Sequence, residues 1–461
     1  MIDIQAIYEP IYTTDKPIIL LTGGRGGAKS FNAQTFSERL TFESGHVILI
    51  TRYTMTSAEK SIIPEFNEKI ELEGTEKYFS INKDEIVNRY SGSRIMFSGI
   101  KTSSGNQTAR LKSIMGLTTF VVDEAEEWES EEEYDTIKLS IRKKGVKNRV
   151  IIILNPTNID HWIFKKYIEK TSKTVYIDDI PVQISTHPDV LHIHTTYYDN
   201  KENLSKEFLN EVADIRAEHL LILDAIKESE SILNELKAAN DTASIHYKEE
   251  KKKLDQLQKD LLVTKYALKI IGRWANQVEG TIFSYKVGEF DNSLPYCYGQ
   301  DYGFTIDPTT LIKLAIDEKQ KKIYLQEKFY KEKSRLSTTD IYDLNTANIE
   351  NEDDLIVGDN AEGRLITELR KKGLNIVECE KGPGSIKAGI LAMQDYELII
   401  DPESINLKRE LNNYCWNDKK AGIPIDNYNH LIDPARYAFR RLSNKSIIYT
   451  TENSVDELGI F

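Results

Sequence analysis

The sequence predicts an α/β protein in which two sheet-forming regions are separated by a helical segment. Three observations carry this expectation. Short continuous apolar runs recur through the first two hundred residues. A stretch from about Asn203 to Tyr266 is rich in Glu, Lys, Leu and Ala and lacks Gly and Pro, so it favours helix. Strand-like runs then resume near Cys297. At 461 residues the chain exceeds one ordinary core, and two or three domains are expected.

Ile18–Thr22 is the first apolar strand, and Phe31–Leu40 has helical character. Val47–Thr51, Phe120–Val122 and Val150–Leu154 are further buried strands, the last bounded by Asn155-Pro156. Runs of this kind suit a largely parallel sheet covered on both faces. Ile86–Phe97 reads instead as strands of a meander. From 203 to 266 a break around Ala239 suggests a helical hairpin or coiled-coil-like excursion, with Leu254, Leu257, Leu261 and Leu262 on one stripe. A solvated spacer and a partner-docking element are both open for it. Thr310–Ile316 and Lys322–Tyr330 form a candidate antiparallel pair, followed by strands Leu355–Gly358 and Leu374–Glu378 and a helix after Asn406 through Glu410 to Tyr414. The divisions expected are 1–200, a helical linker or insertion over 201–275, 276–445, and a polar tail over 446–461.

Composition narrows the partners. There are 73 acidic and 60 basic side chains, for a net charge of -13. That argues against a broad basic coat for nucleic acid, yet permits a local basic channel or phosphate contacts made through metal. No apolar run approaches eighteen residues, so no membrane span is expected. The first residues, with Asp3, Glu9 and Asp15, do not resemble a signal peptide. Cys297, Cys379 and Cys415 lie far apart with neither disulfide nor zinc spacing, which fits a cytosolic protein.

The segment Gly23-Gly24-Arg25-Gly26-Gly27-Ala28-Lys29-Ser30 follows a strand and opens a helix. A phosphate loop needs close backbone N–H groups, a lysine for phosphate charge and a hydroxyl for Mg²⁺. Gly23, Lys29 and Ser30 fill those places, while Ala28 replaces the usual last glycine. The glycines alone could be an ordinary turn. Asp123-Glu124, at the end of an apolar strand, supplies the acidic partner: Asp123 for Mg²⁺ and Glu124 for the attacking water. Arg25 is either a second cation for phosphoryl charge or a structural ion pair. Arg52 ends another strand, directed toward nucleotide or a neighbouring subunit. Asn155 and Thr157 are either coupling residues or a strand-ending turn.

The C-terminal third holds separated carboxylates. Asp301 lies in Gly299-Gln300-Asp301-Tyr302-Gly303, and Asp359 follows Leu355–Gly358 with Glu362 three residues on. Asp433 opens a helical stretch, with His430 three residues before it. A two-metal phosphodiesterase needs carboxylates from separate elements to hold cations about 3.5–4 Å apart. Mg²⁺ or Mn²⁺ suits such oxygen ligands. Turn, cap or surface charge is the alternative for each aspartate.

These stretches, in this order, resemble the large subunit of tailed-bacteriophage terminases, the packaging ATPase-nucleases. The resemblance rests on Gly24 to Ser30, the strand ending at Arg52, Val122-Asp123-Glu124 and Asn155-Pro156. It continues in Gln300-Asp301-Tyr302-Gly303, Gly358 to Glu362, Gly384 to Ile390, Glu410 to Trp416 and Asn429 to Tyr437. It implies an N-terminal RecA-like P-loop ATPase domain plus a C-terminal RNase H-like nuclease domain, with a helical connecting segment. It implies ATP with Mg²⁺, and Mg²⁺ or Mn²⁺ at the nuclease site. By the family pattern Lys29 contacts phosphates, Ser30 and Asp123 serve Mg²⁺, Glu124 activates water and Arg25 is the loop arginine. Asp301, Asp359 and Asp433 match the nuclease carboxylates, with Glu362 and His430 as auxiliaries. Gly272-Arg273-Trp274 resembles the segment entering the domain linker. Implied partners are double-stranded DNA, portal protein, small terminase subunit and procapsid, in a homo-oligomeric ring. Host cytoplasm is the implied location, transiently at the portal vertex and not in the mature virion. Two departures stand out: Ala28, and a charged helical stretch around 220–258 longer than the usual connection. A helicase or repair ATPase with a nuclease domain, and an assembly subunit with a nucleotide switch, are the competing readings.

Overall fold

A computed structural model describes residues 2–54, 62–82, 85–102, 105–106, 114–128, 130–277, 280–303, 307–332, 336–382, 384–417 and 422–443. The chain divides into two compact units, residues 1–276 and 277–461. The helical segment 201–275 thus falls within the first unit, and the tail expected over 446–461 lies outside the described residues.

In the first unit the strands are β1 (Ile18–Gly23), β2 (Val47–Thr54), β3 (Phe79–Ile81), β4 (Glu85–Asn88), β5 (Arg94–Thr102), β6 (Gly105–Asn106), β7 (Thr119–Val122), β8 (Arg149–Ile153), β9 (Ser172–Ile177), β10 (Ile180–Ser185) and β11 (Val190–Thr195). The main sheet runs β11-β1-β8-β7-β2-β5-β4-β3. From β11 to β5 every pairing is parallel; β3, β4 and β5 form an antiparallel meander at one edge. The continuous apolar runs explain the parallel part. Ile18 and Leu20, with Phe120, Val122 and Ile152, pack into one core, while Ile19 and Leu21, with Val121, Ile151 and Ile153, pack into another. Successive side chains point to opposite faces, so a strand covered on both sides is apolar throughout.

The Gly- and Pro-free stretch forms two helices, Lys206–Ala238 and Ile245–Leu262, joined by a turn after Ala239. Each starts at a serine: Ser205 Oγ accepts from Phe208 N, and Ser244 Oγ accepts from Tyr247 N. Of the leucine stripe, Leu261 is fully buried and Leu254, Leu257 and Leu262 are half-buried. The hairpin leads into a single wide helical turn, Tyr266–Ile271, ended by Gly272 in the left-handed conformation.

The second unit holds β12 (Tyr285–Val287), β13 (Tyr296–Asp301), β14 (Thr309–Asp317), β15 (Lys322–Lys331), β16 (Ile356–Gly358), β17 (Ile376–Glu378) and β18 (Glu397–Ile400). Their order is β12-β18-β15-β14-β13-β16-β17. β13, β14 and β15 pair antiparallel, and the remaining pairings, β15 with β18 among them, are parallel. One core, including Leu314, Leu325, Val357, Ile400 and Leu431, covers one face; Leu311, Ile356, Ile366 and Ile376 belong to the other. The helix expected after Asn406 spans Ile405–Asn413, and a further helix spans 432–443.

Two candidate active sites

The phosphate loop is wedged at the end of β1. A Cβ on Gly23 would lie 1.8 Å from the Thr195 carbonyl oxygen, and one on Gly24 would lie 1.8 Å from the Ile270 carbonyl oxygen. Both positions therefore require glycine because backbone approaches from each side. Arg25 N donates to Lys269 O at 2.9 Å, and the buried Tyr8 hydroxyl donates to Gly27 O. Ala28 has φ 56° and ψ 27°, a left-handed conformation that costs a residue with a Cβ roughly 1–2 kcal/mol. The loop thus keeps the shape that glycine usually supplies. Its carbonyl still accepts from Asn32 N at 3.1 Å and opens the helix Lys29–Leu40.

Lys29 is buried, and its Nζ donates to Gly23 O (3.0 Å), Gly24 O (2.8 Å) and Asn155 Oδ1 (2.9 Å). Burial lowers its pKa to about 8, against the opposing pull of Glu126 and Asp123. Ser30 Oγ donates to Asp123 Oδ1 at 2.9 Å. On its other oxygen Asp123 accepts from Arg52 through Nε (2.8 Å) and a second nitrogen (2.7 Å). The same guanidinium reaches Glu124 Oε1 at 3.7 Å. Arg52 therefore braces both acidic residues. Glu124 is in the left-handed region (φ 55°), and burial, with Arg52 opposing and Asp123 assisting, raises its carboxyl. A raised pKa suits a base that must accept a proton from water near neutrality.

Strand order makes this convergence possible. β8 lies between β1 and β7, so Asn155 emerges between the loop and the acidic pair. Its Nδ2 donates to Glu126 Oε1 at 3.0 Å while its Oδ1 accepts from Lys29. Glu126 was not singled out by the sequence, because its contact depends on β8 rather than on spacing. Thr157 stands elsewhere: its side chain is exposed, and its carbonyl accepts from Ala275 N at 2.8 Å. Arg25 is exposed and forms no ion pair among the described residues, so the structural-pair reading finds no partner there. The loop, Asp123, Glu124, Glu126 and Asn155 line a cavity of about 400 Å³. Its amides, ammonium, and hydroxyl–carboxylate pair form a donor set suited to nucleotide phosphates and a hard divalent cation.

In the second unit Asp301 ends β13 and Asp359 follows β16, its parallel neighbour. Asp359 N donates to Gln300 O at 3.1 Å, which sets the two aspartates side by side. Asp433 comes from the helix over 432–443, whose start presses on β13. A Cβ on Gly299 would sit 1.9 Å from Pro434 O. Glu410, buried, accepts from Leu431 N (2.7 Å) and Ile432 N (3.2 Å), and Thr310 Oγ1 donates to His430 O (2.6 Å). These bonds fix the turn that presents His430 and Asp433. Tyr437 Oη donates to Asp359 Oδ2 at 3.2 Å, and its pKa is raised by burial and then by Asp433, Asp359 and Asp301. Of the three aspartates, Asp359 is bonded to this hydroxyl, and the charges of Asp433 and Asp301 act on it.

Each aspartate also has a cation of its own. His430 Nδ1 is 3.5 Å from Asp301 Oδ2, Lys381 Nζ is 2.6 Å from Asp359, and Arg436 is 2.7 Å from Asp433 Oδ1. Burial works against charging His430, but Asp301, Glu410 and Asp307 outweigh it and raise its pKa. Burial also raises Asp433, with Arg436 opposing. Glu362 N donates to Asp359 O at 3.3 Å, but its carboxylate makes no hydrogen bond or ion pair to the three aspartates among the described residues; its charge acts on the Tyr302 hydroxyl together with those of Asp301 and Asp359. Among the described residues no three His, Cys, Asp or Glu side chains stand close enough, as they are, to hold a metal ion. The donor chemistry fits a hard cation, but the carboxylates are turned to their own partners. Lys381, missed by the sequence reading, follows β17 and meets Asp359 only through the fold. Asp433, Lys381, Arg436, Lys387 and Arg440 border a groove of about 1600 Å³.

Residues 15–221 match the family model described as phage terminase large subunit, and residues 301–441 match the terminase RNase H-like domain. The chain belongs to the phage terminase large subunits. This terminase therefore joins an ATPase domain to an RNase H-like nuclease domain, the enzymatic pairing of viral DNA packaging and cleavage. The terminase large subunit of Bacillus phage SPP1 is 24% identical over 437 residues, covering 92% of this chain and 90% of that protein. The PBSX phage terminase large subunit of Bacillus subtilis (strain 168) is 21% identical over 433 residues, covering 92% and 89%. The crystal structure of the HK97 bacteriophage large terminase is 10% identical, covers 92% of this chain and 90% of its own, and has a TM-score of 0.39. That score adds no argument about individual residues.

Proposed function

We propose that this terminase hydrolyses ATP at Lys29, Ser30, Asp123 and Glu124 and cuts DNA at Asp301, Asp359 and Asp433. The observation that carries the first site is the continuous network Ser30–Asp123–Arg52–Glu124 beside Lys29 in one cavity. The loop amides of Gly24 to Ala28 and Lys29 hold phosphates, while Arg25 at the mouth approaches the charge that develops during transfer. Glu124 orients a water and takes its proton. Asn155, bonded to Lys29 and Glu126, reports the state of the phosphate site along β8.

At the second site the three aspartates bind the metal, and His430 and Glu362 are auxiliaries. Mg²⁺ serves the nucleotide, and Mg²⁺ or Mn²⁺ serves the nuclease, where a bound cation would activate water and stabilise the leaving oxygen. The working assembly drives double-stranded DNA into a procapsid as a ring on the portal protein, supplied by the small terminase subunit. It acts in the host cytoplasm, docks transiently at the portal vertex and leaves before the virion is mature.

Paired ATPase and plasmid-cleavage assays test the assignment. E124A should bind nucleotide yet lose roughly 100-fold or more in turnover, while cleaving plasmid normally. D301A should keep ATPase and lose Mn²⁺- or Mg²⁺-dependent cleavage, whereas EDTA should abolish both activities of the wild type. Wild-type cleavage by purified D301A would remove that residue from the nuclease site.

A further inference from the structure

Asp359 differs from the other two nuclease aspartates in how its charge is answered. Lys381 Nζ lies 2.6 Å from Oδ1 and 2.6 Å from Oδ2, so one ammonium spans the carboxylate. Ala361 N adds a bond to Oδ1 at 2.8 Å, and Tyr437 Oη adds one to Oδ2 at 3.2 Å. Arg436, by contrast, directs both of its bonds to Asp433 Oδ1. His430 Nδ1 lies 3.5 Å from Asp301 Oδ2, well beyond the 2.6 Å of the Lys381 contacts. Asp433 thus keeps one oxygen clear of its cation and Asp301 is held only loosely by His430, whereas both oxygens of Asp359 are covered. A divalent cation bound by these carboxylates has to take the place of the ammonium on Asp359.

The geometry points to Lys381 as an internal counter-ion that the divalent cation displaces from Asp359 into the adjoining groove, where it then grips a DNA phosphate. This rests on the reading of Asp301, Asp359 and Asp433 as the nuclease metal ligands. Displacement is physically easy. Lys381 is 39% exposed, and its charge rides on a flexible four-carbon stem rather than a planar fork. A partly exposed pair of this kind is weak enough for a doubly charged ion to overcome. The released ammonium has somewhere to go: Lys381 borders the groove that also carries Lys387, Arg436 and Arg440. A phosphodiester strand in that groove would gain a further cation once the metal is bound, beside Lys321, Lys387, Arg436 and Arg440. Metal on the carboxylates and phosphate in the groove then favour one another, and the linkage is reciprocal.

The test uses the full chain without nucleotide and two probes. Mn²⁺ binding, followed by the electron paramagnetic resonance signal of the free ion, should be about three- to tenfold tighter in K381Q than in wild type. K381R, which keeps the cation, should stay near wild type, and K381Q/D359N should lose the gain. Fluorescence anisotropy with a short DNA duplex should show K381Q weakened in Ca²⁺ but unchanged in EDTA, where Lys381 is engaged by Asp359. Mn²⁺ affinity unaltered or reduced in K381Q would overturn the inference, as would an equal loss of DNA binding in Ca²⁺ and EDTA. Plasmid cleavage by D359N separates the two levels. Wild-type cleavage there sinks the nuclease reading itself, whereas a dead D359N beside an unaltered K381Q sinks only the counter-ion.

Discussion

Lys29 is held in three hydrogen bonds before any phosphate is considered, and that has a consequence with pH. Its ammonium is paired with two loop carbonyls and Asn155, all uncharged, so burial dominates and lowers its pKa from 10.5 to about 8. Phosphate binding needs the charged form. Affinity for nucleotide should therefore be full below about pH 7 and weaken as pH rises through about 8. The folding term runs the other way: keeping Lys29 charged is costly below its folded pKa, and that cost is relieved between about 8 and 10.5. Titration of a fluorescent ATP analogue from pH 6.5 to 9.5 would show the weakening in wild type. K29R, whose guanidinium stays charged, should show a flat profile. A wild-type profile as flat as that of K29R would mean Lys29 does not govern binding. This residue was legible because loop and lysine are contiguous. Arg52 and Glu126 were not assigned their contacts, since each acts on a partner more than twenty-five residues away and the link exists only once β7, β8 and β2 are aligned.

Among elements, the turn Tyr266–Ile271 and Gly272 behind it were the least legible. Sequence resemblance placed Gly272-Arg273-Trp274 at the entrance to a linker; the structure, whose first unit ends at 276, also packs Gly272 against the phosphate loop. A Cβ on Gly272 would fall 2.4 Å from Gly23 C and from Gly24 N, with φ at +79°. Gly280 has the same φ and nothing within 4 Å of a Cβ. The pair separates backbone strain from packing. G280A should cost only the left-handed penalty, about 1–2 kcal/mol, and keep ATPase. G272A must also move the loop, and should lose most ATP turnover; equal ATPase in the two variants would show that the contact is immaterial. The parallel strands, by contrast, were readable from their continuous apolar runs, and the hairpin from a long stretch without Gly or Pro that is broken around Ala239. What the runs could not reveal was their order, and order is what brings Asn155 between the loop and the acidic pair.

At the scale of the whole molecule, two chemistries are carried by two bodies of core. The clusters of the first unit draw on residues from Tyr8 to Trp274, and those of the second on residues from Ile282 to Phe439. Each unit also holds all the residues assigned to its own site, Gly23 to Asn155 in one and Asp301 to Asp433 in the other. The net charge of -13 fits this division, since the proposed phosphate contacts need only a loop and a groove, not a basic surface. A unit with its own buried core and its own site should fold and act without the other. Residues 277–461 expressed alone should therefore melt in one cooperative transition and cleave plasmid with Mn²⁺, without ATP. Thermal unfolding followed by circular dichroism, beside a cleavage assay, checks both halves of the claim. A fragment that melts cooperatively yet cannot cut would mean that the nuclease needs residues from the first unit. A fragment with no cooperative transition would mean that the second core is not self-sufficient.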